Sequence, residues 1–537
     1  MGGCHSEHSA RSVNNIKKSN INIKPEFFSK KGEILSDLKG YEDSPSQNIE
    51  LFFFLKDVEF AVYEIDVILK TGNIESCLGK TKEIQGINVD FMTSFTLNYY
   101  FEKEQSLTII IYKNHSKSEV FRTNIGKIMG SLGQREIVSI HNGGNLTIQA
   151  NNIRNDSFYA EISVSVNLNQ SSRIDPFYFF KKDISKGNIN QLVKSYKSEV
   201  LTFNNTNKYS FSLVTLETTS LNDNDNNKAF IIEIYDANTM SFLGYQKIII
   251  NNFNSSNNFR NTFTLFSPDK NTNLDNCTIE IKIHLTKKYR FIDYLAGGLQ
   301  ISLIIGIDFT SSNKPIIDHS SLHYIDSHST NGYEKAILSC GNIVGYYDYD
   351  QKFPVFGYGA KLLGSEEVNH CFPINFDVDP NIHTIQNVLL AYRNCVHSIR
   401  MFGPTFFAPI IRQTINISKI NNKKSYYILM ILTDGQINDI EDTINSLVEA
   451  SYLPISIIII GIGNGDFQNM ELLDADINPL KSSTGIPAVR DIVQFVEFRV
   501  FENDGIKLAE KVLEEVPTQV EQYYKMVKQP PNEHELN

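Results

Sequence analysis

The sequence predicts a multidomain chain in which two all-β sandwiches precede a doubly wound α/β domain. Three observations carry this. The 537 residues exceed what one core supports, since a domain usually holds about 100–200 residues. From Asn48 to about Lys288, short alternating strands are separated by Asn, Ser, Asp and Gly. After Arg290 the apolar runs lose their alternation and are interleaved with helical periodicity. The expected organisation is a basic tail over 1–47, sandwiches over 48–150 and 151–288, an α/β domain over 289–525 and a short tail over 526–537.

Composition narrows the function. Lys and Arg number 50 against 61 Asp and Glu, a net charge of −11. An acidic chain of this kind is a poor general nucleic-acid binder, so no nucleic-acid partner is expected. Apolar residues make up 41% and charged residues 21%, an ordinary globular mixture. The longest apolar runs, such as Ile455–Ile462, are far shorter than the ~20 residues that span a bilayer. The six cysteines, Cys4, Cys77, Cys277, Cys340, Cys371 and Cys395, are scattered without a CxxC pair. That pattern argues against a zinc module and a disulfide framework. No signal peptide is recognised ahead of sequons such as Asn145-Leu146-Thr147, so a reducing cytosol is the expected compartment.

The amino terminus reads Met-Gly-Gly-Cys-His-Ser. Gly2 would become an acylated terminus with Ser6 at the favoured hydroxyl position, and Cys4 is placed for a second, thioester-linked chain. One acyl chain anchors only marginally, and a second signal makes anchoring stable. Arg11, Lys17, Lys18, Lys24, Lys30 and Lys31 face only Glu7 and Glu26 over the first 32 residues. Each excess cation contributes about 1 kcal/mol near an anionic leaflet.

The β-rich portion is expected to hold strands at Phe52–Ile65, Ser94–Tyr99, Leu107–Tyr112, Ala160–Val166, Tyr209–Leu216, Phe230–Tyr235 and Cys277–Leu285, with no convincing amphipathic helix between them. The Asn-rich stretch Asn222–Asn227 reads as a surface loop. Beyond Arg290, Gln300–Asp308, Tyr426–Asp434 and Leu453–Gly461 are continuous apolar runs, as suits parallel strands buried on both faces. Helices are expected at Tyr333–Tyr346, Ile385–Ile399, Thr405–Ile417, Ile440–Ala450 and Ile506–Glu514. In such a sheet the ligand site sits at the carboxyl ends of the strands.

Three polar segments fall at those ends: Asp308-Phe-Thr310-Ser-Ser312, Gly403-Pro-Thr405 and Thr433-Asp434-Gly435. Asp308, Thr310 and Ser312 alternate in one turn, and Thr405 and Asp434 come from neighbouring loops. Two acids, three hydroxyls and water compose an all-oxygen octahedron suited to Mg or Mn. Hydroxyl ligands leave the ion short of negative charge, so it recruits a carboxylate or phosphate from a partner.

Several of these segments resemble known families. The Asp-x-Thr-x-Ser pattern is that of the metal-ion-dependent adhesion site of von Willebrand factor A-type domains. Ser172-Arg-Ile-Asp-Pro-Phe177 and Ile234-Tyr-Asp-Ala-Asn238 resemble the calcium loops of C2 domains. Phe291–Gln300, Asp308–Asn313, Phe353–Ala360, Gly403–Thr405, Arg490–Phe495, Glu515-Val-Pro517 and Gln522-Tyr-Tyr524 are similar to copines, which carry two C2 domains before a von Willebrand A-type domain. The lipidation signal resembles the plant-type branch. The resemblance implies calcium-dependent phospholipid binding. Here the calcium acids are reduced to Asp175 and Asp236, with Asn238 as a neutral oxygen, and Asn167 and Asn169 lie where the earlier loop lacks an acid. That set predicts a weak calcium site. The corresponding loop of the first sandwich, Lys113-Asn-His-Ser-Lys117, argues against a cation and could instead touch phosphate headgroups.

The expected function is a non-enzymatic peripheral membrane adaptor in signalling or membrane trafficking. Its partners would be an anionic phospholipid membrane and proteins offering an acidic ligand, and its place the cytoplasmic face of the plasma membrane with a cytosolic pool. The alternative is a metal-dependent enzyme acting on a phosphate-bearing substrate. No glycine-rich phosphate loop, GxSxG or HExxH supports it, and His370-Cys371 reads as a surface His beside a buried Cys. An extracellular adhesion protein is disfavoured by the missing signal peptide and the cysteine pattern.

Overall fold

The computed structural model describes residues 33–34, 47–141, 143–153, 157–168, 173–184, 191–253, 260–267, 273–420, 425–474 and 479–532. Gly2, Cys4 and all the basic residues of the tail therefore lie outside the described residues, as does Asn169. The chain forms two compact units, one from 1–41 with 156–288 and the other from 42–155 with 289–537.

In the first unit a single antiparallel path of strands curls round one core. Phe158–Asn167 pairs with Asn273–Lys287, and the path continues through Arg260–Phe266, Phe242–Ile248, Phe230–Asp236 and Pro176–Asp183 to Leu192–Lys197. Alternate residues point inward: Ala160, Ile162, Val164 and Val166 meet Tyr178, Phe180, Ile232, Ile234, Ile279 and Ile281 in one buried cluster. This is the period-two burial of a sandwich strand. The expected strand Tyr209–Leu216 is divided into Lys208–Ser210 and Val214–Glu217, and a short helix, Thr218–Asn222, follows it.

The second unit begins with a sandwich of two five-stranded sheets. The span Phe52–Ile65, expected as one strand, is two, Gln47–Lys56 and Ala61–Thr71, one in each sheet. Both alternate fully buried residues with partly buried or exposed ones. A short helix, Ile125–Gly130, is present where periodicity predicts none. The Lys113–Lys117 stretch is a hairpin turn rather than an open loop: Asn114 and His115 take positive φ between Gln105–Lys113 and Ser116–Asn124. Lys113 is ion-paired with Glu59.

The same unit continues into a parallel sheet ordered Lys352–Tyr358, Gln300–Asp308, Ser425–Thr433, Ile455–Gly461, Val493–Glu497. Helices Gly332–Val344, Ile385–Ser398, Ala408–Ile420, Ile440–Ala450 and Gly505–Leu513 lie within one or two residues of the expected spans at most ends; Ala408–Ile420 is displaced by three at each end, because Asp439 accepts from the Phe407 and Ala408 amides and fixes its start. Two strands, Lys352–Tyr358 and Val493–Glu497, and a last helix, Val516–Met526, complete the domain. Arg490 ties that helix down from within, donating to the carbonyls of Ser451, Ile455 and Gln519.

Sandwich and α/β domain share a continuous apolar core within this unit. The Tyr99 and Tyr347 hydroxyls are 2.6 Å apart, Phe101 packs edge-on to Phe291 at 5.0 Å, and Gln47 accepts from the Ile292 amide at 3.0 Å. A Cβ on Gly130 would stand 2.1 Å from the Tyr346 carbonyl, so only glycine allows that approach.

Candidate functional site

Parallel pairing sets the carboxyl ends of Gln300–Asp308 and Ser425–Thr433 side by side, with Ile307 in register with Leu432. Asp308 and Asp434 thus emerge at the same edge. The Asp308 side chain folds back on its own turn, as short acidic residues do at strand ends. Its Oδ1 accepts from the Thr310 amide at 2.9 Å and the Thr310 hydroxyl at 2.6 Å. Its Oδ2 accepts from Thr433 at 2.9 Å. Ser312 donates to Asp434 Oδ1 at 3.0 Å, and the Thr310 and Ser312 hydroxyls are 2.9 Å apart.

Thr405 stands at the same edge by a different route. Phe402 bridges to Thr310, its carbonyl accepting from the Ser311 amide at 2.7 Å. Three residues on, the Thr405 amide donates to Asn438 Oδ1 at 2.8 Å. The Thr405 hydroxyl is hydrogen-bonded to none of the other four side chains. Gly359, at φ +78°, lies under Thr310, where a Cβ would meet the Thr310 methyl at 2.3 Å.

The electrostatics fit a divalent cation. Asp308 is fully buried and Asp434 nearly so. Burial raises the carboxyl pKa of Asp308 despite its hydrogen bonds. Burial, and then the charge of Asp308, raise that of Asp434. With both acids ionised, the one proton of Thr310 goes to Asp308 and that of Ser312 to Asp434. The 2.9 Å contact between the two hydroxyl oxygens then holds no proton, and lone pairs face one another. A hard cation among these oxygens resolves both the repulsion and the desolvation. Asp308, Thr310, Ser312 and Asp434 are brought into one hydrogen-bonded chain, of which Thr405 is not part.

Sequence reading missed what holds the turn from behind. His323 is fully buried, with Nε2 2.7 Å from the Asp308 carbonyl oxygen and Nδ1 2.8 Å from the Tyr392 hydroxyl. A carbonyl only accepts, so Nε2 carries the proton and Nδ1 accepts from Tyr392. The ring stacks on Tyr333 at 4.2 Å, and burial pushes its pKa down to about 3. No periodicity marks His323 or Tyr392; Thr433 was legible only as part of the Thr-Asp-Gly segment.

The expected calcium loops are arranged differently. Asp175 and Asp236 are neighbours, with Asp236 Oδ1 accepting from the Asp175 amide at 3.0 Å. Asp236 also accepts from the Asn238 amide, the Thr239 amide and the Thr239 hydroxyl, the last at 2.6 Å. Asp175 Oδ1 turns to the Phe203 amide at 2.7 Å. The Asn238 side chain is exposed. Burial raises the Asp236 pKa, but these donors outweigh it and the net shift is downward.

His370 and Cys371 are both half-buried, not divided between surface and core. The His370 ring packs on Phe406 at 4.4 Å, and burial pushes the Cys371 thiol up to about 12, far from a thiolate nucleophile.

Comparison with known proteins decides the family. Copine-A of Dictyostelium discoideum is 31% identical over 500 residues, covering 89% of this chain and 82% of that protein. The chain belongs to the copine family. The family model named Copine matches residues 321–532, which include Thr405 and Asp434 and begin after the Asp308 turn. Solved structures overlap more loosely. The tandem C2 domains of Extended-Synaptotagmin 2 match at 12% identity and TM-score 0.17, covering 52% of this copine and 98% of that chain. Manganese-loaded Plasmodium vivax TRAP protein matches at 14% identity and TM-score 0.24, covering 40% and 74%. The family assignment rests on the sequence relationship, not on these overlaps. No helix among the described residues is long and apolar enough to cross a membrane.

Proposed function

We propose that this copine is a peripheral membrane adaptor. Two C2-type sandwiches and an acylated Gly2 and Cys4 bring it to anionic phospholipid at the cytoplasmic face of the plasma membrane, in exchange with a cytosolic pool. A von Willebrand A-type domain recruits a protein partner through Mg or Mn held by Asp308, Thr310, Ser312, Thr405 and Asp434. The observation that carries the reading is the proton-poor oxygen chain from Asp308 through Thr310 and Ser312 to Asp434. An ion there has hydroxyl and water ligands left to exchange for an acidic side chain, which is a means of recruitment rather than of turnover. The buried imidazole beside it, His323, has both nitrogens engaged and offers no general base. Calcium plays a minor part: Asp236 already receives four hydrogen bonds, leaving Asp175, Asp236 and Asn238 a weak site.

Isothermal calorimetry of the full chain with magnesium chloride tests the centre: one strong site is expected, lost in Asp308→Ala. Sedimentation with phosphatidylserine vesicles, using acylated and non-acylated protein with and without calcium, tests the membrane half. Acylation is expected to dominate and calcium to add a modest increment. A magnesium-dependent release of phosphate from phosphoesters that disappears with Asp308→Ala would overturn the adaptor in favour of an enzyme.

A further inference from the structure

One strand away from the oxygen cluster lies a small antiparallel sheet, Ala360–Leu362 with Val368–Asn369 and Ile399–Met401. Its inner face packs Ala360, Leu362, Ile399 and Met401 on the core. Its outer face has a different chemistry. Lys361 stands directly opposite Arg400, and cross-strand partners share a face about 5 Å apart. Phe402, two residues beyond Arg400, points the same way and is 42% exposed. The Lys361 ammonium lies over its ring at 4.5 Å. Phe402 is also the residue that bridges to Thr310, so this ledge is continuous with the ligand turn.

Two cations side by side are unexpected in a chain of net charge −11. Among the described residues Arg400 has no carboxylate within ion-pair distance. Lys361 is paired at 3.3 Å with Glu366, whose side chain is 96% exposed. The Lys361 side chain is itself 17% exposed, lying along the ledge, but an acid so open to water holds its partner weakly and is easily exchanged. The ledge thus presents positive charge on an aromatic floor beside an edge whose own charges are negative. One strand spacing across and two residues along place Arg400 about 8 Å from Thr310. Alternate side chains of an extended segment are about 7 Å apart.

We propose that the ledge of Lys361, Arg400 and Phe402 reads a second acid of the recruited protein: the partner is an extended acidic segment with carboxylates at alternate positions, one on the ion and one on the Lys361–Arg400 pair. This rests on the metal-centre reading and gives it a selectivity the ion lacks, since an ion alone accepts any carboxylate. The arginine fork and the lysine charge hold the second carboxylate, while Phe402 excludes water beneath it.

The test is fluorescence anisotropy of the full chain in millimolar magnesium with two labelled decapeptides of Gly and Ser, one carrying two Asp at alternate positions and the other one Asp. The two-acid peptide is expected to bind about tenfold more tightly. Lys361→Glu with Arg400→Glu should erase that preference while the one-acid peptide still binds, and an unchanged melting curve and magnesium isotherm would show the fold and centre intact. Asp308→Ala should abolish both. Equal affinities on the native chain, a preference that survives the double reversal, or no peptide binding by protein that still holds magnesium overturns the ledge and leaves the centre standing. Peptide binding indifferent to Asp308→Ala and to chelator overturns the centre instead. Should the double reversal lower sedimentation with phosphatidylserine vesicles and spare the peptide preference, the ledge is a lipid surface and the peptide assignment falls.

Discussion

Asp308 and Asp236 begin from the same local device and end in opposite states. Each closes a strand, each is buried, and each accepts from the amide two residues on and from a nearby threonine hydroxyl. Asp236 then gains the Asp175 and Thr239 amides. Its charge is dispersed among donors and its pKa falls. Asp308 instead meets Asp434 across a neighbouring strand, with hydroxyls between them, and burial raises its pKa despite its hydrogen bonds. Each acid has another beside it, Asp175 and Asp434; what separates the two is that amides converge on Asp236, while hydroxyls stand between Asp308 and Asp434. An acid met by amides keeps its charge at little cost; on the proposed reading, the two acids joined through hydroxyls are the ones that take a cation.

The contrast can be broken by experiment. Its largest consequence is the response to magnesium. Saturating the native protein at about 100 times the dissociation constant should add about 2.7 kcal/mol of stability to the 42–155 and 289–537 unit. Asp308→Asn should remove that increment without lowering the stability of the metal-free protein, because it also removes a repulsion. Thermal melts with and without chelator read both; a metal-free protein clearly weakened by Asp308→Asn would show that the pair is structural after all.

Asp236→Ala should do the reverse. Amides and a hydroxyl lose their shared acceptor, at a cost of about 3 kcal/mol, since each unmet buried donor costs about 1–3 kcal/mol and relaxation recovers part. Urea denaturation should show it in metal-free and calcium-loaded protein alike. A loss confined to the calcium-loaded state would make Asp236 a ligand first.

Opposite pKa shifts give opposite pH slopes. A carboxyl raised in the folded state contributes stability below its unfolded pKa, near 3.9, and loses it as pH rises through the folded value. For Asp308 and Asp434 in chelator, the native protein should therefore lose ground to Asp308→Asn as pH rises, by at most about 1.4 kcal/mol per unit for each group. Magnesium should flatten the difference. A carboxyl lowered in the folded state behaves oppositely, so Asp236 should stabilise above the unfolded pKa and cease to do so as pH falls through its folded value. His323, pushed down to about 3, is neutral when folded. Its unfolded form takes a proton below about 6.5, so stability should fall between about pH 6.5 and 3, and His323→Gln should blunt that fall.

The smallest effect is calcium itself. Calorimetry of the full chain with anionic vesicles should find binding near the ~10⁻⁴–10⁻³ M end of calcium affinities. Micromolar binding abolished by Asp236→Asn would erase the distinction between the two regions.

Much of this was legible in the chain. Unbroken runs such as Gln300–Asp308 and Ile455–Gly461 appear as parallel strands, the first buried from Leu303 onward and the second throughout, because a strand covered on both faces has no polar side to show. The two sandwiches were legible from period-two alternation, though Phe52–Ile65 concealed a turn between strands of different sheets. The three polar segments that hold Asp308, Thr405 and Asp434 could be found because strand ends are where a parallel sheet exposes its loops. The sequence by itself thus determined the classes of element, their order and the residue types at the candidate centre, all of which follow from local periodicity and short-range turn chemistry. Tertiary structure alone decided that the first sandwich shares its core with the α/β domain, that His323 and Tyr392 brace the Asp308 carbonyl, and that Asp308 finds a facing acid while Asp236 finds amides. Those outcomes depend on residues far apart along the chain, such as the Tyr99 and Tyr347 pair at 2.6 Å, and long-range packing leaves no period in a sequence to read.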